Sequence, residues 1–317
     1  MSSEHYLELK NLSKYFQTPG GYLHAVDGVT FTLEKGKTIG VVGESGCGKS
    51  TLGRVVSRLL EATAGEVIFN GENILGYKGR QLKDLRCKIQ MIFQDPFSSL
   101  NPRKAIYNTI AEPIITQRLC SKKSEVEQKV IELMELVGIA ERNVNSYPHE
   151  LDGGRRQRIG IARALALEPE LIVCDEPVSA LDVSIQAQIL NLLKRLQQQF
   201  GYTYIFITHD LSVVKHFTQE VLVMYLGQMV EKAPVKELFS HPRHPYTQAL
   251  LSAIPVPDID RPRERVILKG EITSPINPRN ECRFADRCSY VSAVCRQKCP
   301  PLDDLGDGHL VRCFTPL

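Results

Sequence analysis

Gly43-Glu44-Ser45-Gly46-Cys47-Gly48-Lys49-Ser50 decides the reading of this chain. It is the pattern G-x-x-x-x-G-K-[ST], set between the short apolar run 38–42 and a helical pattern that begins near Lys49. The glycines let consecutive backbone N–H groups converge on phosphate oxygens, and the helix N-terminus adds the positive end of its dipole. Lys49 is expected to reach the β and γ oxygens of a nucleotide and Ser50 to offer its hydroxyl to Mg²⁺. Gly43, Ser45, Gly46, Cys47, Gly48, Lys49, Ser50 and Thr51 therefore form the candidate phosphate cradle. The bland alternative is a glycine-rich turn that fits by chance; the strand before it and the helix after it argue against that.

Working outward, residues 6–9 and 29–33 alternate apolar and polar with period two, as half-buried strands do. After Gly48, Leu52, Val55, Val56, Leu59 and Leu60 fall at helical spacing. The runs 171–174 and 204–207 are wholly apolar, and between them Ile185, Ile189, Leu192, Leu193, Leu196 and Phe200 mark a helix closed by Gly201. Wholly apolar strands alternating with helices predict an α/β fold whose parallel sheet is covered on both faces. Ser124 with Glu127 has the spacing of a capping box, and Val126, Val130, Leu133, Met134 and Val137 mark one helical face ending at Gly138. Beyond about residue 235, prolines at 242, 245, 255, 257, 262, 275, 278, 300 and 301 punctuate the chain and periodicity fades, which predicts a small, loop-rich tail.

The 317 residues suffice for one large domain or two ordinary ones, and 39 Lys+Arg against 36 Asp+Glu leave a formal charge of only +3. The basic residues are scattered, so charge makes no case for nucleic acid as a partner. No run of 18 apolar residues occurs and the N-terminus lacks a signal-peptide pattern, so the expectation is a cytosolic chain that spans no membrane. In a reducing compartment the nine cysteines then raise a question about metals rather than disulfides.

The run 171–174 ends in Asp175-Glu176, which places one carboxylate at a strand tip for the Mg²⁺ water shell and the next where it can polarise an attacking water. The strand 203–207 runs into Thr208-His209-Asp210, so His209 stands at the carboxyl edge of a sheet, where ligands of such sheets bind. With these residues in order, the chain resembles the ATP-binding subunits of ABC transporters over residues 5–317. Leu151-Asp152-Gly153-Gly154-Arg155-Arg156-Gln157-Arg158 is similar to that family's signature, Gln94 to its Q-loop, Ser179-Ala180-Leu181-Asp182 to its D-loop, and His209 to its switch histidine. The resemblance implies a P-loop ATPase domain over 1–235 with a helical insert about 85–165, using ATP and Mg²⁺. It implies Lys49, Gln94, Glu176 and His209 as catalytic residues and Ser50, Gln94 and Asp175 around Mg²⁺. Asp152, Gly153, Gly154 and Asp182 would close over the ATP of a second subunit. Tyr15 occupies the place of the aromatic that stacks on adenine; Phe16 and an ordinary core aromatic are the competing readings.

His244-Pro245-Tyr246-Thr247-Gln248-Ala249-Leu250-Leu251, Ser274-Pro275-Ile276-Asn277-Pro278 and a cysteine cluster are similar to the C-terminal extension of the dipeptide/oligopeptide and nickel uptake subgroup, here 236–317. That implies an importer with two ATPase subunits, two transmembrane permease subunits and an extracytoplasmic substrate-binding protein, with this chain peripheral on the cytoplasmic face of the membrane. Peptide is the commonest cargo of the subgroup; nickel or another small solute is the alternative, and a soluble non-transport ABC ATPase is the reading from a different class. The latter usually carries a long coiled-coil insertion or two fused cassettes, and this chain has neither.

Two features depart from a plain cassette. The family signature usually reads Leu-Ser-Gly-Gly-Gln, whereas here Asp152 and Arg155 replace Ser and Gln. A serine hydroxyl donates to a γ-phosphate; an aspartate repels it, by about 4 kcal/mol for unit charges about 4 Å apart at an effective dielectric near 20, unless Arg155 or a proton offsets it. The expectation is a heterodimer with one weak site, the alternatives being a plain helix N-cap or an engineered substitution. Further on, Cys282, Cys288, Cys295, Cys299 and Cys313 put five of nine cysteines in the last 36 residues, where even spacing gives about one. The gaps C-x₅-C-x₆-C-x₃-C-x₁₃-C lack the close pairs of structural zinc sites and suit a 4Fe-4S iron–sulfur cluster; zinc and uncoordinated thiols are the alternatives. The subgroup resemblance implies Cys282, Cys288, Cys295 and Cys313 as its ligands with Cys299 spare, although spacing alone also permits Cys299 in place of Cys313.

Overall fold

The computed structural model describes residues 6–95, 99–254, 266–268, 270 and 273–317. Pro255, Pro257 and Pro262, among the prolines that mark the tail, lie outside them. In chain order the first elements are β1 (Leu7–Thr18), β2 (Gly21–Leu33), β3 (Thr38–Val42), α1 (Lys49–Val56), β4 (Ala64–Phe69), β5 (Glu72–Asn73), α2 (Gly79–Lys88) and β6 (Ile89–Ile92). There follow α3 (Ile106–Thr116), α4 (Lys123–Leu136), α5 (Gly153–Leu165), β7 (Leu171–Asp175), α6 (Val183–Phe200), β8 (Thr203–Ile207) and α7 (Leu211–Phe217). Last come β9 (Glu220–Tyr225), β10 (Gln228–Pro234), α8 (Val235–Ser240), α9 (Pro245–Ser252), β11 (Asp303–Asp304) and β12 (Leu310–Val311). These fall into two compact units: the described residues up to Gly76 together with those from Ile207 onward, and 77–206.

In the first unit, the alternation read at residues 6–9 belongs to an antiparallel sheet, β2-β1-β4-β5, in which Leu7 pairs with Leu33 on one side and Phe69 on the other. Leu7 and Leu9 are buried, while Glu8 and Lys10 face away from that core. The fully buried β3 instead pairs in parallel with β9, Val41 opposite Leu222, as an apolar strand covered on both faces should. Beyond β9 the order continues β10, β12, β11 with antiparallel pairing, so the tail returns to extend this sheet through Val311 opposite Glu231. In the second unit β6 and β7 pair in parallel, Ile92 opposite Cys174, with α3, α4 and α5 forming the helical part of the insert.

Two expectations are corrected in detail. Helix α1 stops at Val56 rather than running through Leu60. Arg58 turns left-handed with φ 56°, and the bonds Leu59 N–H to Arg54 O (2.9 Å) and Arg58 N–H to Val55 O (3.1 Å) close the helix as a Schellman motif, leaving Leu59 exposed. Helix α4 begins before Ser124, and Glu125 rather than Glu127 reaches back to the Ser121 and Lys122 N–H groups at 3.0 and 3.2 Å. Its apolar face is as read: Val126, Val130, Leu133, Met134 and Val137 are buried. Helix α6 ends at Phe200 and is closed by Gly201 at φ 71°, as read, with Phe200 exposed on its last turn.

Candidate nucleotide-binding site

Strand β3 delivers the loop 43–50 to the N-terminus of α1, and the Leu52 N–H bond to Gly48 O at 2.9 Å starts the helix. Gly48 has φ 106°, and a Cβ there would lie 1.9 Å from Ala25 O, so no other residue fits. Lys49 is buried, and its ammonium donates to Gly43 O at 2.8 Å and Glu44 O at 2.9 Å, which holds the charge inside the loop. The Cys47 side chain is buried beside it, 3.8 Å from Lys49 Nζ, and burial pushes its thiol pKa up. Ser45 and Gly46 form the exposed crest of the loop, while Ser50 and Thr51 lie half-buried and partly buried on the first turn of α1.

On β1, the Tyr15 ring stacks on His24, with centroids 3.9 Å apart and planes inclined at 27°. Its hydroxyl donates to Asp27 Oδ1 at 2.6 Å, and burial together with that bond raises its pKa. Burial alone would raise the Asp27 carboxyl. Hydrogen bonds from Tyr15 and His24 and the neighbouring Arg283 charge nevertheless hold it below the usual carboxylate value. Phe16, the neighbouring aromatic, lies under the Lys14 ammonium at 5.0 Å. At the end of β8, the Thr208 N–H bonds Val41 O at 3.1 Å, and Asp210 Oδ1 caps α7 by accepting from Ser212 N–H at 2.8 Å. His209 is exposed between these two anchored neighbours.

In the unit 77–206, the parallel register of β6 and β7 brings the residues after them to one sheet edge, and Gln94 Nε2 donates to Glu176 Oε2 at 2.9 Å. Asp175 is buried at the tip of β7. Glu176 has φ 45°, a left-handed conformation that costs a non-glycine residue about 1–3 kcal/mol, a strain that clusters at functional positions. The signature residue Asp152 is the N-cap of α5: Oδ1 accepts from Arg155 N–H at 2.7 Å, and Oδ2 stands 3.4 Å from Arg155 Nε. Gly153 and Gly154 start that helix against the segment carrying the D-loop residues. A Cβ on Gly154 would meet Ile185 Cγ2 at 2.7 Å, which explains the small residue there. Asp182 precedes α6, its carbonyl accepting from Gln186 N–H at 2.8 Å.

In the tail, the Cys282 N–H bonds Cys295 O at 2.8 Å. Burial, with the neighbouring thiols adding to it, pushes the Cys282 thiol up to about 12 and raises those of Cys288 and Cys313. Cys299 faces Gln228 instead, 3.7 Å from its Nε2. Among the described residues, no three His, Cys, Asp or Glu side chains are grouped closely enough to hold one metal ion. Sequence reasoning missed a further set around the phosphate loop. Arg287 pairs with Glu44 through both terminal nitrogens, Tyr246 Oη accepts the Glu44 N–H at 2.9 Å, and Arg283 bonds both Asp27 and Leu226 O. Two arginines inside a cysteine gap were the only signal, and nothing in spacing names their carboxylate partners, Glu44 and Asp27, more than 200 residues away.

The family described as ABC transporter matches residues 26–179, and that described as oligopeptide/dipeptide transporter, C-terminal region, matches 230–295. The chain is similar to the oligopeptide transport ATP-binding protein AppF of Bacillus subtilis, with 50% identity over 322 residues covering 98% of each chain. It is 50% identical to the oligopeptide transport ATP-binding protein OppF of Salmonella typhimurium, over 98% of this chain and 93% of that one. The dipeptide transport ATP-binding protein DppF of Haemophilus influenzae is 49% identical, over 96% and 94%. Among solved structures, a dimeric ATP-binding cassette in a post-hydrolysis state bound to ADP and Pi superposes with TM-score 0.67 and 29% identity, covering 72% of this chain and 98% of that one.

Proposed function

From the premise that this chain belongs to the ABC transporter ATP-binding family, we propose that it hydrolyses ATP to power import of dipeptides or oligopeptides through a membrane permease. The observation that carries this reading is the folded phosphate loop with Lys49 buried among its own carbonyls, in a chain half identical to peptide-transport ATP-binding proteins along almost its whole length. Among the described residues no helix is long and apolar enough to cross a membrane, which suits a subunit peripheral on the cytoplasmic face, working with two permease subunits and an extracytoplasmic binding protein.

Phosphate binding falls to the N–H groups of Gly43, Ser45, Gly46, Cys47, Gly48, Lys49, Ser50 and Thr51. Lys49 exchanges its loop carbonyls for phosphate oxygens, so that its charge is already in place when substrate arrives. Ser50, Gln94 and Asp175 offer the oxygen donors that a hard cation takes, and Mg²⁺ bound to them would neutralise charge on the phosphates. Glu176 orients the attacking water, Gln94 holds that carboxylate by its 2.9 Å hydrogen bond, and His209 senses the γ-phosphate. Tyr15, already stacked on one side by His24, supports the base.

The second ATP-binding subunit is a different chain in this reading. The Asp152 carboxylate caps its own helix and pairs with Arg155, so the site it closes over lacks a hydroxyl donor, and this chain's own phosphate loop works against an intact partner signature. In the tail, Cys282, Cys288, Cys295 and Cys313 would hold a 4Fe-4S cluster. The Cys282 N–H bond to Cys295 O and the separate setting of Cys299 beside Gln228 support that ligand set. Thiolates on irregular loops are the donors such a cluster takes, and its role would be to tie down a tail with little core of its own. Uptake of a labelled oligopeptide by vesicles carrying the assembled transporter tests the reading. ATP-dependent uptake is expected, and uptake of nickel or another small solute in its place would overturn the peptide assignment.

A further inference from the structure

The tail segment Cys282-Arg283-Phe284-Ala285-Asp286-Arg287-Cys288 sends the Arg287 guanidinium to Glu44 of the nucleotide loop and that of Arg283 to Asp27, beside Tyr15. We propose that Arg287, assisted by Arg283, is a positioning residue for ATP, holding Glu44 in place and cancelling its charge from outside the cassette's own motifs. The proposal rests on the ATP-binding reading above. Arg287 Nη1 and Nη2 bond Glu44 Oε2 and Oε1 at 2.7 and 3.0 Å, the two-pronged geometry that makes an arginine–carboxylate pair directional. The pair is largely withdrawn from water, with the Arg287 side chain 9% and that of Glu44 23% exposed, so solvent screens it little. The Tyr225 hydroxyl lies 3.4 Å from Arg287 Nη1, and the guanidinium carbon sits 5.8 Å from the centre of the Tyr225 ring.

Glu44 is thereby fixed at three points. Its carboxylate is held by Arg287, its N–H by Tyr246 Oη at 2.9 Å, and its carbonyl by Lys49 Nζ at 2.9 Å. Two of the three come from the tail. Arg283 repeats the arrangement on the Tyr15 side, bonding Asp27, whose other contacts are the Tyr15 hydroxyl and His24, and the carbonyl of Leu226. Between the arginines, Phe284 is buried against Tyr225, Tyr246 and His244, with ring centres 5.2, 5.5 and 5.5 Å away. The loop is therefore ordered before substrate arrives, and ordering costs no affinity at binding. Without its partner, the Glu44 carboxylate would stand unpaired in a loop that must receive the negative charges of a triphosphate. With it, the loop keeps the shape that points its N–H groups at the phosphates while adding no net charge.

The test measures ATP dissociation constants for the purified full chain and KM and kcat for the assembled transporter. Arg287→Gln is expected to weaken ATP binding about tenfold, within the roughly 5–150-fold range of couplings between sites, and to raise KM while kcat at saturating ATP stays near parental. Glu44→Gln combined with Arg287→Gln removes both charges and is expected to recover most of the lost affinity. Arg287→Lys, a point charge without the fork, falls between. A general loosening of the tail would leave the double variant as weak as the single one, and that result would overturn the proposal, as would parental affinity in Arg287→Gln. Failure of the parental chain to bind ATP would instead remove the ATPase reading itself, a different outcome on the same measurement.

Discussion

His244, 2% exposed at the N-terminus of α9, is forced to stay neutral: burial pushes its imidazole down to about 4, against an opposing pull from the nearby Glu231. The neutral ring earns its place by accepting the Tyr246 N–H at Nδ1, 3.1 Å away, and so capping the helix that carries Tyr246 to the phosphate loop. Glu231, fully buried, accepts from the Arg243 and His244 N–H groups at 2.7 and 3.0 Å and meets His309 Nε2 at 2.7 Å. Because the folded value of His244 lies below its ordinary 6.5, the unfolded chain binds the extra proton first as pH falls. Stability from this group is therefore complete above about 6.5 and is lost as pH falls towards about 4, a loss of roughly 3 kcal/mol at 1.36 kcal/mol per pK unit. Denaturant unfolding at a series of pH values should show that loss in the parental chain and a smaller one in His244→Asn, which keeps a capping acceptor but cannot titrate. Superimposable pH profiles would contradict it.

At the scale of elements, the faces of helices and the apolar strands were legible because burial imposes a period. Val126, Val130, Leu133 and Met134 had to face one way to leave water, and they do. The ends of helices were less legible, because they depend on single backbone conformations. Nothing in the apolar spacing of Leu59 and Leu60 reveals that Arg58 turns left-handed and stops α1 at Val56. Glu127 matched a capping template that Glu125, two residues earlier, actually fills. Asp152 was legible in both of its properties: it departs from a serine, and it still caps α5. Asp152→Ala should cost about 1 kcal/mol of stability through the lost cap, whereas Asp152→Ser should leave thermal unfolding unchanged. The serine variant should also raise turnover at the site closed by this signature when the partner subunit is present. Equal turnover before and after the serine substitution would count against the electrostatic reading.

Across the whole molecule, the strand–loop–helix around Lys49 and the ordered motifs up to His209 were readable because phosphate chemistry restricts residue types and spacing together. The tail was readable only as loop-rich. Its return to the sheet edge through β12, and the reach of Arg287 to Glu44, join residues far apart in sequence, and no local pattern encodes such pairings. For the cysteines, anaerobic purification with iron and sulfide assays should give both elements. Single Cys→Ser changes should abolish them at 282, 288, 295 and 313 and spare them at 299; colourless protein lacking both would defeat the cluster. The central catalytic role falls to Glu176, placed one residue beyond β7 in a strained conformation and hydrogen-bonded by Gln94. The direct measurement is steady-state Mg²⁺-ATP hydrolysis by the complete transporter, parental against Glu176→Gln, with nucleotide binding measured in parallel. Binding should survive while turnover falls by at least the roughly 10²–10⁴-fold expected for loss of a general base. Hydrolysis at the parental rate in Glu176→Gln would contradict the account.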